Sequence, residues 1–164
     1  MNKNLNKYKT ICENEKEMEN FANYFFEEII KKIDSEKKEK KQRATIVGLY
    51  GDLGSGKTTF TKYFVKHFGI SDTITSPTFV IQKKFKIESG YNFEKLYHLD
   101  VYRLKSGSEL LTLDWQEIST TNKNIILIEW PEIVSEILPD DIIKIKFEFI
   151  DENKRSVELE WFDL

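Results

Sequence analysis

Eight consecutive residues, Gly51-Asp52-Leu53-Gly54-Ser55-Gly56-Lys57-Thr58, follow the spacing G-x-x-x-x-G-K-[ST]. Glycines at these places let successive backbone N–H groups curl around phosphate oxygens with no Cβ in the way. The lysine after the last of them reaches the β- and γ-phosphates of a nucleotide. The hydroxyl that follows takes one coordination position of Mg²⁺. The loop residues Asp52, Leu53, Gly54, Ser55, Gly56, Lys57 and Thr58 are therefore the first expected nucleotide contacts, with Thr58 also an expected metal ligand.

Three further residues carry chemistry that such a loop needs. Glu129 ends the apolar run Ile125, Ile126, Leu127, Ile128. A run of this kind reads as a strand covered on both faces, and ligands of α/β sheets gather at the carboxyl ends of such strands. A carboxylate there suits the second protein ligand of Mg²⁺, and glutamate is also long enough to polarise a water. Asp100 lies in a segment that reads as a strand, where aspartate is disfavoured. It would orient the attacking water, bind the metal through a water, or pair with Arg103 or His98. Thr78, in Thr75-Ser76-Pro77-Thr78-Phe79, lies about twenty residues beyond Lys57, where a hydroxyl can report the γ-phosphate. His98 reads as a packed or surface imidazole.

These residues need a particular scaffold, and the chain offers one. Residues 44–50 are apolar and β-rich, and residues 59–68 place Phe60, Phe64, Val65 and Phe68 on one helical stripe. Strand, loop and helix follow one another as the motif demands. Upstream, residues 8–12 read as a short strand. Asn14 reads as an N-cap with Glu15 and Glu17 in the first turn. A long amphipathic helix follows through Met18, Phe21, Ala22, Phe25, Phe26, Ile29, Ile30 and Ile33. Residues 34–43 form a Lys-rich linker or helix extension.

Downstream, Gly69 stops the second helix, and residues 79–87 and 95–104 read as an antiparallel pair. Residues 107–117 read as a helix with Leu110, Leu111 and Trp115 inward. Pro131 opens a short helix or turn, and residues 142–150 and 155–162 make a C-terminal hairpin. The expected fold is α/β and single-domain: a P-loop NTPase-like three-layer arrangement with a mixed central sheet and a C-terminal β-hairpin.

Composition narrows the function. Of 164 residues, 40% are hydrophobic and 32% charged, with no apolar run long enough for a membrane span. The polar N-terminus lacks the apolar core of a signal peptide. The single cysteine, Cys12, forms no internal disulfide and reads as a small half-buried residue, so cytoplasm is the expected compartment. A net charge of −3 does not support autonomous nucleic-acid binding. Neither DNA nor a membrane is an expected partner, and any RNA role would run through a partner protein.

Four segments together resemble the TsaE (YjeE) family of bacterial P-loop ATPases: GDLGSGKTTF at 51–60, TSPTF at 75–79, YHLDVYRL at 97–104 and LIEWPE at 127–132. The resemblance implies a role in making threonylcarbamoyladenosine in tRNA together with TsaD and TsaB. ATP hydrolysis would reset that complex between turnovers, and tRNA would be engaged indirectly through it. It also implies that Gly54, Ser55, Gly56, Lys57, Thr58 and Thr59 surround the phosphates, with Mg²⁺ on Thr58 and Glu129. Asp100 matches an acid required for activity, and Trp130 a residue that packs the site or serves the partner interface. Arg155 matches an arginine near the nucleotide, and Glu15 lies where the N-terminal segment borders the adenine. This chain departs from the family in its longer Lys-rich stretch and in Lys154, where a glycine often precedes the arginine.

The expected mechanism is Mg²⁺-dependent ATP hydrolysis with Lys57, Asp100 and Glu129 as the catalytic set. Asp100 or Glu129 places the water. No arginine finger is evident in cis, so Arg103 or a partner protein would supply one. A GTPase is disfavoured, because Asn122-Lys123-Asn124-Ile125 lacks the aspartate of N-K-x-D and precedes its strand. Two rivals remain: a small-molecule or nucleoside kinase, which needs an Arg-bearing lid, and a nucleotide-gated binding module whose hydrolysis is incidental.

Overall fold

In the computed structural model, residues 5–35, 43–71, 77, 80–88 and 91–162 are described. The chain runs β1 (Leu5–Cys12), α1 (Glu15–Ser35), β2 (Thr45–Tyr50), α2 (Lys57–Lys66), β3 (Gln82–Lys86) and β4 (Lys95–Asp100). It continues through α3 (Gly107–Leu111), α4 (Trp115–Thr120), β5 (Asn124–Glu129), a 3-10 helix (Pro131–Ile137), β6 (Ile143–Phe149) and β7 (Arg155–Phe162).

The strands form one sheet in the order β1-β7-β6-β2-β5-β4-β3. Its centre is parallel: β2 pairs with β5 and β6, and β5 with β4. Its edges are antiparallel, β3 on β4 at one side and β6, β7 and β1 at the other. The mixed sheet and the C-terminal hairpin are thus as the sequence led one to expect. Residues of β2 and β5 are buried on both faces, which explains their uninterrupted apolar runs.

Alternation along these strands splits the core in two. Val47, Leu49, Ile125 and Leu127 face α1 and α2, where Phe21, Phe25, Phe60, Phe64 and Phe68 pack. Ile46, Ile126 and Ile128 face Leu110, Trp115, Ile118 and Val134 of the opposite layer. Asn14 caps α1 as its position suggested, its Oδ1 accepting the Glu17 N–H at 3.0 Å.

Some elements differ from expectation. β4 ends at Asp100, because residues 101–104 turn back through a Leu104 N–H to Val101 O bond of 2.9 Å. β3 begins only at Gln82, since Ile81 has a φ of 63° that no strand accommodates. The helix read over residues 107–117 is two helices, broken before Asp114 at φ 58°. The break re-aims the second helix, so Leu110 and Trp115 are buried while Leu111 is 52% exposed, not inward. Cys12 is fully buried where half burial was expected. Residues 36–42 of the Lys-rich stretch, and Thr78, lie outside the described residues.

Candidate functional site

The loop between β2 and α2 is shaped by backbone that only glycine adopts cheaply. Gly51 has φ 136°, and a Cβ there would stand 2.3 Å from the Phe147 carbonyl oxygen. Gly56 has φ 110° and caps α2, whose first turn begins at Lys57. The N–H groups of that turn have no partner inside the helix, so the helix presents them, with its positive dipole end, to the loop.

Lys57 is buried, and its Nζ donates to Gly51 O at 2.5 Å and Asp52 O at 2.9 Å. The same ammonium lies 4.4 Å from the centre of the Trp130 ring. Burial pulls the Lys57 amine below the usual lysine range, against the opposing pull of Glu129 and Asp100. A partly desolvated cation gains much from an anion beside it.

Parallel pairing brings the acids to it. Asp100 and Leu49 both stand beside Glu129 in register, at the carboxyl ends of β4, β2 and β5. Both acids are buried. Thr58 Oγ1 donates to Glu129 Oε1 at 3.4 Å, and His98 Nε2 lies 2.9 Å from the same oxygen. Asp100 Oδ1 accepts the Tyr102 N–H at 3.1 Å.

A cavity of about 580 Å³ opens over these groups. Gly54, Gly56, Lys57, Thr58 and Thr59 form its floor, and Asp100, Tyr102, Glu129 and Trp130 one wall. Cys12, Asn14, Glu15 and Met18, at and after the end of β1, line it beside Glu152, Asn153 and Arg155 of the C-terminal hairpin. Burial raises the Cys12 thiol to about 11, so it lines the cavity as an unreactive group.

The residues singled out in the sequence divide as follows. Lys57, Thr58, Asp100 and Glu129 meet. Gly54, Gly56, Thr59, Glu15 and Arg155 line the same cavity, as does Leu53, which is 92% exposed at the loop tip. Asp52 and Ser55 shape the loop from behind. The Ser55 N–H donates to Asp52 O at 3.1 Å, and the Ser55 hydroxyl is buried away from the cavity. The Glu15 carboxylate accepts from Tyr63 Oη at 2.6 Å. Arg155 Nε donates to Gly54 O at 3.2 Å, tying the hairpin to the loop, and its guanidinium covers the Phe149 ring at 4.6 Å.

Sequence reasoning reads His98 as a packed or surface imidazole and gives Tyr102 no role; the structure packs the His98 ring against Glu129 and puts Tyr102 on the cavity wall. Only the period-two relation of His98 to Asp100 hinted that both share a face with Glu129, and that relation means nothing until the strand order is known.

Among the described residues no group of three or more His, Cys, Asp or Glu side chains forms a metal site. The donors at hand are instead one hydroxyl and one carboxylate, a set of hard oxygens. It fits Mg²⁺, which keeps waters and takes substrate phosphate oxygens to complete six positions.

Known proteins assign the chain to a family. The family model described as threonylcarbamoyl adenosine biosynthesis protein TsaE matches residues 12–157. The tRNA threonylcarbamoyladenosine biosynthesis protein TsaE of Rickettsia typhi is 40% identical over 142 residues, which is 86% of each chain. That of Rickettsia felis is 46% identical over 111 residues, 67% of this chain and 61% of that protein's own length. A crystal structure of YdiB from Bacillus subtilis superposes with a TM-score of 0.64 at 25% identity, covering 98% of this chain and 88% of that one. The matched span holds the glycine loop, Asp100 and Glu129 alike, and the chain belongs to the TsaE family.

Proposed function

We propose that this chain is a Mg²⁺-dependent ATPase that serves the formation of threonylcarbamoyladenosine in tRNA. It would act in the cytoplasm with TsaD and TsaB and reset their complex between turnovers. The observation that carries the reading is the convergence of Thr58 and Glu129. They lie 71 residues apart in sequence, yet their side chains meet at 3.4 Å beside a buried lysine.

In this reading the amides of the loop and of the first turn of α2 hold the β- and γ-phosphates, and Lys57 spreads its charge over their oxygens. Thr58 and Glu129 hold Mg²⁺, which when bound neutralises charge developing between the β- and γ-phosphates. Asp100 or Glu129 orients the attacking water. Thr78 reports the γ-phosphate. Glu15 and Arg155 border the nucleotide from the two ends of the chain. Tyr102 and Trp130, in ring contact at 5.1 Å, form the side of the cavity nearest solvent.

Arginine occurs only at positions 43, 103 and 155. Arg43 pairs with Asp141, and Arg155 is held on backbone carbonyls. Arg103 or a partner protein would complete the charge stabilisation. The isolated chain is expected to turn over well below the typical ~10 per second.

The test is phosphate release from Mg-ATP with and without TsaD and TsaB. Stimulation by the pair that vanishes in Lys57→Ala supports the proposal. Transfer of phosphate to an added nucleoside or sugar, with no stimulation, would replace it with a kinase.

A further inference from the structure

His98 is the one fully buried imidazole of the sheet, with 0% of its side chain exposed. It stands on β4 two residues before Asp100, on the same face, and pairs in register with Leu127. That puts it diagonally below Glu129, and its Nε2 lies 2.9 Å from Glu129 Oε1. Its other nitrogen, Nδ1, is buried and makes no hydrogen bond among the described residues. A ring placed only to fill space would do better as an apolar side chain, since an unmade hydrogen bond on a buried nitrogen is costly. The single polar contact of His98 is therefore the reason to have a histidine there.

Both hydrogen bonds to Glu129 land on the same atom. Thr58 Oγ1 and His98 Nε2 both address Oε1. A carboxylate with one oxygen pinned from below cannot swivel about its last torsion, so its other oxygen keeps one heading. Metal-binding carboxylates depend on such support for their orientation.

We propose that His98 is a positioning residue: by donating Nε2–H to Glu129 Oε1 it fixes the carboxylate rotation and so the way Glu129 is presented to the divalent cation. This rests on the reading of Thr58 and Glu129 as cation ligands. His98 itself touches neither nucleotide nor metal. Its reach matters more than its polarity. A glutamine amide ends where Nε2 stands, and an asparagine amide ends near Nδ1, short of Oε1.

The experiment titrates Mn²⁺, in place of Mg²⁺, into the full chain saturated with a non-hydrolysable ATP analogue. Bound Mn²⁺ is read by electron paramagnetic resonance, and analogue affinity is measured separately in EDTA. His98→Gln is expected to stay within ~3-fold of the unmodified chain for Mn²⁺. His98→Asn and His98→Leu are expected to weaken Mn²⁺ by ~10–100-fold while the metal-free analogue affinity moves by less than ~2-fold. Should His98→Leu fail to fold, the Gln and Asn variants decide alone. Equal Mn²⁺ affinity in all the folded variants and the unmodified chain would overturn the role of His98 and leave the site reading standing. So would a His98→Gln variant as weak as His98→Asn. Failure of the unmodified chain to bind Mn²⁺ with the analogue would overturn both.

Discussion

Trp130 holds φ 62° and ψ 44°, left-handed values that a bulky side chain adopts at a cost of about 1–3 kcal/mol. Its surroundings over-determine it. Its N–H reaches Leu49 O at 3.3 Å, its carbonyl accepts from Ile133 N–H at 3.1 Å, and Pro131 bars it from the right-handed helical region. The outcome is a ring laid against the Lys57 ammonium, directly after the acid that meets Thr58. Asp100 allows a sharper division between scaffolding and chemistry. An asparagine there retains an oxygen able to accept the Tyr102 N–H while losing the charge. Asp100→Asn should therefore melt within a few degrees of the unmodified chain and still bind ATP. Its phosphate release should fall by ~100-fold if the carboxylate orients the water. Release unchanged by the substitution would remove Asp100 from the catalytic set.

At the scale of elements, the glycine loop and the start of α1 set the shape of the cavity. Gly51→Ala would force a Cβ against the Phe147 carbonyl at an unfavourable φ. It should lower the melting temperature and abolish nucleotide binding, since the loop must leave β6 to accommodate it. Asn14→Ala removes the α1 cap and should cost about 1 kcal/mol of unfolding free energy in a denaturant titration. These elements were legible because their signals are local: glycine spacing, a cap three residues before an acid, a 3.6-residue apolar stripe. Glu129 was legible too, because a buried strand and its terminal acid are contiguous. The end of β4 was not. Residues 101–104 carry the β-favouring Val101 and Tyr102, so nothing local marks the stop, which is set by the Val101–Leu104 turn. The break before Asp114 was hidden for a similar reason, as both short helices are good helix sequence. The partner of His98 was beyond reach altogether, since it depends on which strand lies beside β4.

Across the whole molecule, the face of β1, β7 and β6 opposite α1 and α2 carries a ladder of charge. Lys7 Nζ lies 2.5 Å and Lys146 Nζ 3.1 Å from Glu160 Oε1, with Glu158 beside them. The Lys7 hydrogen bond, aided by Lys146, holds the Glu160 carboxyl down at about 2 from an ordinary 4.5. A lowered folded-state value means stabilisation that is complete above pH 4.5 and drains away as the pH falls toward 2. Glu160→Gln should thus be less stable than the unmodified chain at pH 7, with the gap closing on acidification. A gap constant from pH 7 to pH 3 would show that the ladder contributes nothing.

The pairing of β1 with β7 joins Leu5 to Phe162 and Cys12 to Arg155. During synthesis, then, β1 is made well before β7, its hydrogen-bonding partner. Contacts between segments so distant close slowly, and a strand left open meanwhile invites other chains to its edge. Lys7 and Lys9, which later join the charge ladder, stand on β1 throughout that wait and discourage such pairing. Beside this pairing, the segment after β1 and the turn before β7 both line the cavity. A nascent chain that stopped before β7 would carry the glycine loop and both acids, yet it would lack Arg155 and leave β1 without its pairing partner.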